Sequence, residues 1–428
     1  MVSNEKVGFN SRVRLLKGED CTLISNMDNG ECLFLSNECV NIIEKSIEED
    51  LTYYQIIEAI EDKASKEYMV KLILKLEQLC MWNDMDIQNM KSEFLNFSID
   101  ITNNCNLRCK HCCVSAGDQK NGTDLPTEKM LTVVKRIAEL KPASITISGG
   151  EPLYREDFVA ITDQIRQYYK GVLILMTNAT LITESLAKYI SEKYDAVDIS
   201  IDGIDEETCS ILRGKGVFEK TLKGLKLLKT YNMRISASMV LSKETKELRD
   251  QFLEYCKNIL HVKGIIRCFE DTGRGNDNKK MLEIDDNDCK YANKEDLEKY
   301  FLEHKIFRVQ PQIFACKGAR TEFQINHLGG IFPCASFMED EFSLGNILEI
   351  ENLKLYFDRG EYKKTEGYKK FYSWMPFNQK ECGECNKQLL CFSCANTVRK
   401  TVDRKDFKKW CKYNNEYFDM YWRCHGTV

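Results

Sequence analysis

Residues 95–113 read LNFSIDITNNCNLRCKHCC, and this stretch decides the fold. Its first seven residues alternate apolar and polar, the period of a strand with one buried face. Directly after it, Cys105, Cys109 and Cys112 stand at C-x3-C-x2-C spacing. Three cysteines this close wrap one small site. A [4Fe–4S] cluster offers four irons and takes thiolate ligands. Three thiolates leave one iron without a protein ligand, and an open iron is a place for chemistry. A zinc site and plain burial are the alternatives; zinc more often uses paired C-x2-C units.

Outward from this strand the pattern repeats. Residues 144–148, 172–176, 196–201, 235–240 and 264–268 read as further strands, separated by amphipathic helices. The helix over 127–140 puts Met130, Val133, Val134 and Ile137 on one face. Six such repeats predict a parallel barrel or a doubly wound sheet. The cysteines, Gly149-Gly150-Glu151-Pro152, Thr177-Asn178 and Asp202-Gly203 each follow a different strand. Loops after strand C-termini carry the chemistry in such barrels, so these four form one candidate active site.

Residues 8–88 make a unit of their own. Two short strands flank the Asn29-Gly30 turn. Helices follow over 38–46, 51–61 and 65–82, the last with Met69, Leu72, Ile73, Leu76 and Leu79 at helical spacing. This winged-helix-like order lacks a basic face. Its sheet edge suits an extended peptide added as a strand, and a purely structural cap is the alternative. Residues 271–300 read as a polar linker ending in a helix. Beyond them, 322–326 and 331–332 form a hairpin delivering Cys334, and the rest is expected to be loop-rich, with cysteines in place of a hydrophobic core.

At 428 residues, 43% of them hydrophobic, the chain has material for about three domains. A net charge of −5 argues against nucleic acid or an anionic membrane as partner. No run reaches the 18 apolar residues of a span, and the N-terminus has no signal core, so a cytoplasmic protein is expected. Twenty cysteines in a reducing compartment point to metal rather than disulfides. Cys21, Cys32, Cys39, Cys80, Cys209, Cys256, Cys268 and Cys289 are scattered and read as small buried residues. Cys316, Cys334, Cys382, Cys385, Cys391, Cys394, Cys411 and Cys424 crowd the last quarter.

The cysteine motif after the first strand, joined to GGEP after the second, resembles the radical S-adenosylmethionine (SAM) superfamily. The resemblance implies a partial (β/α)6 TIM barrel in which Cys105, Cys109 and Cys112 hold a [4Fe–4S] cluster whose open iron binds SAM. Reductive cleavage of SAM then yields methionine and a hydrogen-abstracting 5′-deoxyadenosyl radical. By position, Gly149, Gly150 and Glu151 meet the SAM amino group, Ser200 and Asp202 the ribose or carboxylate, and Arg213 the carboxylate. Asn178 is a further contact, and His111 covers the cluster and adenine. Cys113 is a non-ligand.

The C-terminal cysteines resemble the SPASM extension with two auxiliary [4Fe–4S] clusters, three clusters in all. Cys382, Cys385, Cys391 and Cys411 would hold one, with Cys424 a rival to Cys411; Cys316, Cys334 and Cys394 would hold the other, leaving one iron open. One departure is that two residues, where the family usually has three, separate Cys391 from Cys394. Residues 1–88 resemble leader-recognition domains of ribosomal peptide modifying enzymes. The implied domains are 1–90 for leader recognition, 91–305 for the radical SAM barrel and 306–428 for SPASM. The implied function is a maturase forming thioether bridges in a ribosomally made precursor peptide, with a flavodoxin- or ferredoxin-type reductant. Formylglycine formation on a sulfatase, carbon–carbon crosslinking and a non-catalytic electron carrier are the rivals.

Overall fold

The computed structural model describes residues 6–11, 13–18, 21–26, 31–82, 92–117, 123–283, 316–383, 394–401 and 411. They fall into two compact units. One holds 6–82, 316–317, 372–383, 394–401 and 411; the other holds 92–283 and 318–371.

In the first unit an antiparallel sheet runs β1 (Val13–Lys17), β2 (Cys21–Asn26), β3 (Cys32–Ser36), in that spatial order. Three helices follow: α1 (Asn37–Glu48), α2 (Tyr53–Glu58) and α3 (Lys63–Gln78). Side chains start all three, from Ser36, Thr52 and Asp62. Thr52 and Gln55 form a capping box, which satisfies two otherwise orphan amides. Leu72, Ile73 and Leu76 of α3 pack with Ile24, Val40 and Ile43 in one core. The strands expected on either side of Asn29-Gly30 are present, and β1 is an addition to the expectation. The turn itself lies outside the described residues.

The second unit is built on an eight-stranded sheet. Its parallel run is β4 (Asn96–Asp100), β5 (Ser144–Ser148), β6 (Val172–Thr177), β7 (Ala196–Ser200), β8 (Ile235–Leu241) and β9 (Lys263–Cys268), neighbours in chain order. Each step moves one place in the same direction. Right-handed crossovers then put all the helices on one face, the arrangement of a barrel rather than a doubly wound sheet. The helices are α4 (Thr127–Glu139), α5 (Phe158–Tyr168), α6 (Glu184–Lys193), α7 (Glu206–Arg213), α8 (Val217–Thr230) and α9 (Arg249–Glu254).

Register identifies the two faces. A side chain on Gly264 would meet Leu253 and Cys256, so that face is the helix face. Cross-strand pairing carries the same face through Ala237 to Ile199, and across β5 and β4 it includes Ile145 and Phe97. These residues are apolar and buried. The opposite, concave face carries Ser98, Asp100, Thr146, Ser148, Asp198 and Ser200. An ordinary closed barrel fills this space with branched apolar side chains; here polar side chains share it with Ile174, Met176 and Ile265.

The hairpin expected at 322–332 is present as β10 (Glu322–Ile325) and β11 (Ile331–Phe332), and β10 adds in parallel beside β4. Two expectations need correction. Residues 318–371 do have an apolar core: Phe323, Phe337, Phe342, Phe357 and Phe371 are buried, with Phe337 5.0 Å from Phe371 and Phe323 5.0 Å from Phe357 between ring centroids. Such pairs contribute roughly 0.5–1.5 kcal/mol beyond their buried area. In addition, residues 271–283 are not a linker; they pack on the cysteine loop. The remainder of that expected linker lies outside the described residues.

The scattered cysteines divide. Cys209 and Cys256 are buried as expected, Cys21, Cys32, Cys39 and Cys80 are half-buried, and Cys268 is exposed, corrected by its place at the end of the edge strand β9. Cys289 lies outside the described residues. Among the described residues no helix is long and apolar enough to cross a membrane.

Candidate active site

The loop after β4 carries Cys105, Cys109 and Cys112, and neighbouring loops fix it from both sides. Asp124 accepts from the Asn103 amide at 2.7 Å and from Asn104 Nδ2 at 2.8 Å. The GGE segment after β5 lies alongside. Gly150 N donates to the Thr102 carbonyl at 2.8 Å, and Glu151 N to the Asn104 carbonyl at 2.9 Å. A Cβ on Gly149 would stand 2.3 Å from the Thr102 carbonyl oxygen, and one on Gly150 2.2 Å from that of Asn104. The close approach these glycines permit is therefore to the cysteine loop's own backbone.

Glu151 is wholly buried and joins a third loop. Its Oε1 accepts from Thr177 Oγ1 at 2.6 Å and Leu153 N at 3.1 Å, and its Oε2 from Asn178 N at 2.7 Å. Burial pushes its carboxyl above the ordinary value, against the pull of these donors. Asn178 Nδ2 returns to Asn106 Oδ1 at 3.0 Å, closing a ring of contacts around the cysteine loop.

The far end of the sheet completes the support. After β9, Arg274 donates to the Cys109 carbonyl at 3.2 Å and the Ala116 carbonyl at 2.8 Å, and Asn278 Nδ2 to the Lys110 carbonyl at 3.1 Å. Gly273 adopts φ +54°, and a Cβ there would stand 2.6 Å from the Cys113 carbonyl oxygen. Sequence reading missed Gly273, Arg274 and Asn278 because their segment, DTGRGNDNKK, has the composition of a linker.

Below the loop lies a buried charged group. Asp202, fully buried, accepts from Val240 N at 2.7 Å through Oδ1. Its Oδ2 lies 2.6 Å from Arg213 Nε and 3.2 Å from His111 Nε2. Arg213 NH1 is 3.9 Å from the Cys109 sulfur. Burial pushes the His111 imidazole below its ordinary value, outweighing Asp202. Ser200 sits half-buried at the end of β7. On the concave face Asp198 of β7 pairs with Arg267 of β9, and its Oδ1 is buried without a hydrogen-bond partner among the described residues.

The three sulfurs fit thiolate ligation. Leu107 N donates to Cys105 Sγ at 3.3 Å, Ala116 N donates to Cys112 Sγ at 3.3 Å, and Arg213 faces Cys109. Donors aimed at all three sulfurs match the hydrogen-bonded cysteines of an iron–sulfur cluster. Among the described residues no three His, Cys, Asp or Glu side chains converge as a single-ion site would. Of the auxiliary-cluster candidates, Cys316, Cys334, Cys382 and Cys411 are half-buried and Cys394 is exposed. Cys385, Cys391 and the rival Cys424 lie outside the described residues.

Residues 99–256 match the family model described as the radical SAM superfamily. This match covers 158 of the chain's 428 residues, including the cysteine loop and the GGE segment. The chain is 29% identical to pre-heme d1 synthase of Dinoroseobacter shibae over 42% of its length and 45% of the relative's. It is 28% identical to a mycofactocin maturase of Mycolicibacterium smegmatis over 36% and 39%. The chain thus spans under half the length of these relatives. In fold it resembles Streptococcus suis SuiB, solved with S-adenosylmethionine, at TM-score 0.56 and 17% identity, covering 92% of this chain and 97% of that one. The same protein solved with its precursor peptide SuiA gives TM-score 0.55 at 15% identity, with the same coverage.

Proposed function

We propose that this protein is a radical SAM peptide maturase that forms thioether bridges from cysteine sulfur to carbon in a ribosomally made precursor peptide. The observation that carries the reading is the C-x3-C-x2-C loop, with donors on its three sulfurs, clamped by the GGE backbone. Cys105, Cys109 and Cys112 would hold the cluster. Gly149, Gly150, Glu151, Asn178 and Ser200 would line the SAM site on the same rim. When bound, SAM on this cluster supplies a hydrogen-abstracting radical and an auxiliary cluster an electron sink, so that one C–H and one S–H become a C–S bond with net loss of two hydrogens.

The chain's own part is positioning. Glu151 holds the loops after β5 and β6 together, and the hydroxyls and carboxyls on the concave face suit a polar substrate. The three-stranded sheet and helices of the first unit support a leader-binding role, with β3 at a sheet edge. Similarity to a mycofactocin maturase, and in fold to an enzyme solved with its precursor peptide, supports a peptide substrate. We assign leader recognition to residues 1–90, the barrel to 91–305 and auxiliary clusters to 306–428, the last on cysteine spacing alone. A flavodoxin- or ferredoxin-type protein would supply the electrons.

Anaerobic co-expression with a candidate cysteine-containing precursor, followed by mass spectrometry, tests the reading. Loss of two hydrogens per modified cysteine, absent with Cys105→Ala, is the expected result. An unmodified precursor with intact SAM cleavage would overturn the peptide assignment. The second reading, chemistry on a heme precursor, is favoured by the similarity to pre-heme d1 synthase. Modification of an added heme precursor in the same assay would support it instead.

A further inference from the structure

Arg213, the last residue of α7, is 9% exposed, and its guanidinium stands between two partners. Nε lies 2.6 Å from the Asp202 carboxylate on one side, and NH1 lies 3.9 Å from the Cys109 sulfur on the other. Asp202 is itself fixed by the Val240 amide. The residue before Arg213 registers the same helix end to the cysteine loop, because the Leu212 carbonyl accepts from Lys110 N at 2.9 Å. A cation this deeply buried requires opposite charge around it. Asp202 supplies it on one side, and a Cys109 thiolate would add to it on the other. The Cys105 and Cys112 sulfurs meet neutral backbone amides, so Cys109 is the one of the three that faces a full positive charge.

We propose, resting on the radical SAM reading, that Arg213 oriented by Asp202 is a positioning residue that sets the reduction potential of the cluster held by Cys105, Cys109 and Cys112. Reduction adds a negative charge to the cluster, and a cation against one ligand sulfur stabilises that state. This role differs from the SAM-carboxylate contact that the family resemblance implies for Arg213. The two roles separate experimentally because a potential can be measured before SAM is added.

The experiment uses the full-length protein reconstituted with iron and sulfide, in wild-type, R213K, R213Q and D202N forms. The relevant cluster is the one whose electron paramagnetic resonance signal changes when SAM is added, and it is titrated in the absence of SAM. R213Q is expected to lower the reduced-to-oxidised ratio at fixed potential about tenfold, or about 59 mV for one electron. R213K should retain most of the wild-type ratio. D202N removes the charge that offsets Arg213 and should raise the ratio. An unchanged midpoint in R213Q with weakened SAM binding would overturn the proposal. If R213Q holds no cluster, an unchanged or lowered midpoint in D202N overturns it equally. Failure of the wild type to show any SAM-responsive cluster would sink the radical SAM reading itself, a distinct outcome.

Discussion

The Gly150 amide donates to the Thr102 carbonyl across 2.8 Å, so the loop after one strand is hydrogen-bonded to the loop that presents the cysteines. The parallel ladder between β4 and β5 thus continues past the ends of both strands. Geometry at Cys105 depends on a residue 45 positions later, Gly150, having no side chain.

Gly150→Ala should therefore damage the cluster site more than the fold. Its Cβ meets backbone, not a flexible side chain, so the two loops must separate. The expected cost is about 1–3 kcal/mol, as for other overpacked sites. Denaturant unfolding would measure that cost. Iron analysis and the SAM-responsive signal should show most of the cluster lost, and a full signal would refute the clamp.

Glu151→Gln replaces an acceptor-only group that receives three donors with one that must aim an NH2 at one of them. We expect a loss of roughly 1–3 kcal/mol together with weakened SAM binding, read by calorimetry. A variant with wild-type stability would show that these hydrogen bonds do not hold the loops.

Asp100 closes β4 on the concave face, and burial pushes its carboxyl up to about 7, against the pull of Gln324. A carboxyl raised in the folded state binds a proton there that the unfolded chain has already lost. Its contribution to stability is thus full below the unfolded value of 3.8 and is lost as pH rises through about 7. Asp100→Asn cannot ionise, so its stability relative to wild type should climb between about pH 4 and pH 7 and level off above. Thermal unfolding at several pH values would test this; a constant difference counts against the buried acid.

Arg267 pairs with Asp198, whose other oxygen is buried without a hydrogen-bond partner among the described residues. Arg267→Met should strand a buried carboxylate and destabilise the protein. Adding Asp198→Asn should recover much of that loss, because the cost lies in the stranded charge more than in the missing pair. Equal stability of the single and double variants in urea would contradict this.

The six parallel strands were legible because each alternates or runs apolar between turn signals, and their observed ends fall within a residue or two of those expected. The cysteine and GGEP motifs were legible because their spacing is local. The group joining His111, Asp202 and Arg213 was only partly so. Family likeness placed each near SAM, but nothing local shows that they meet one another. β1 escaped notice because Arg14 interrupts a short apolar run whose partner is set by the sheet. The phenylalanine core of 318–371 was hidden for a similar reason: its rings come from a strand, turns and helices far apart in the chain, with no period to reveal them.

The place of β10 beside β4 has a consequence for biosynthesis. Asn96, at the start of β4, donates to the carbonyl of Thr321, 225 residues further along the chain. A ribosome making this protein has emitted all six barrel strands before the neighbour of the first exists. Until then the outer edge of β4, the strand that runs into the cysteines, lacks that neighbour and can recruit another chain. The cysteine loop thus emerges early but rests on a scaffold finished late, so its supporting sheet is complete only once translation has passed residue 325.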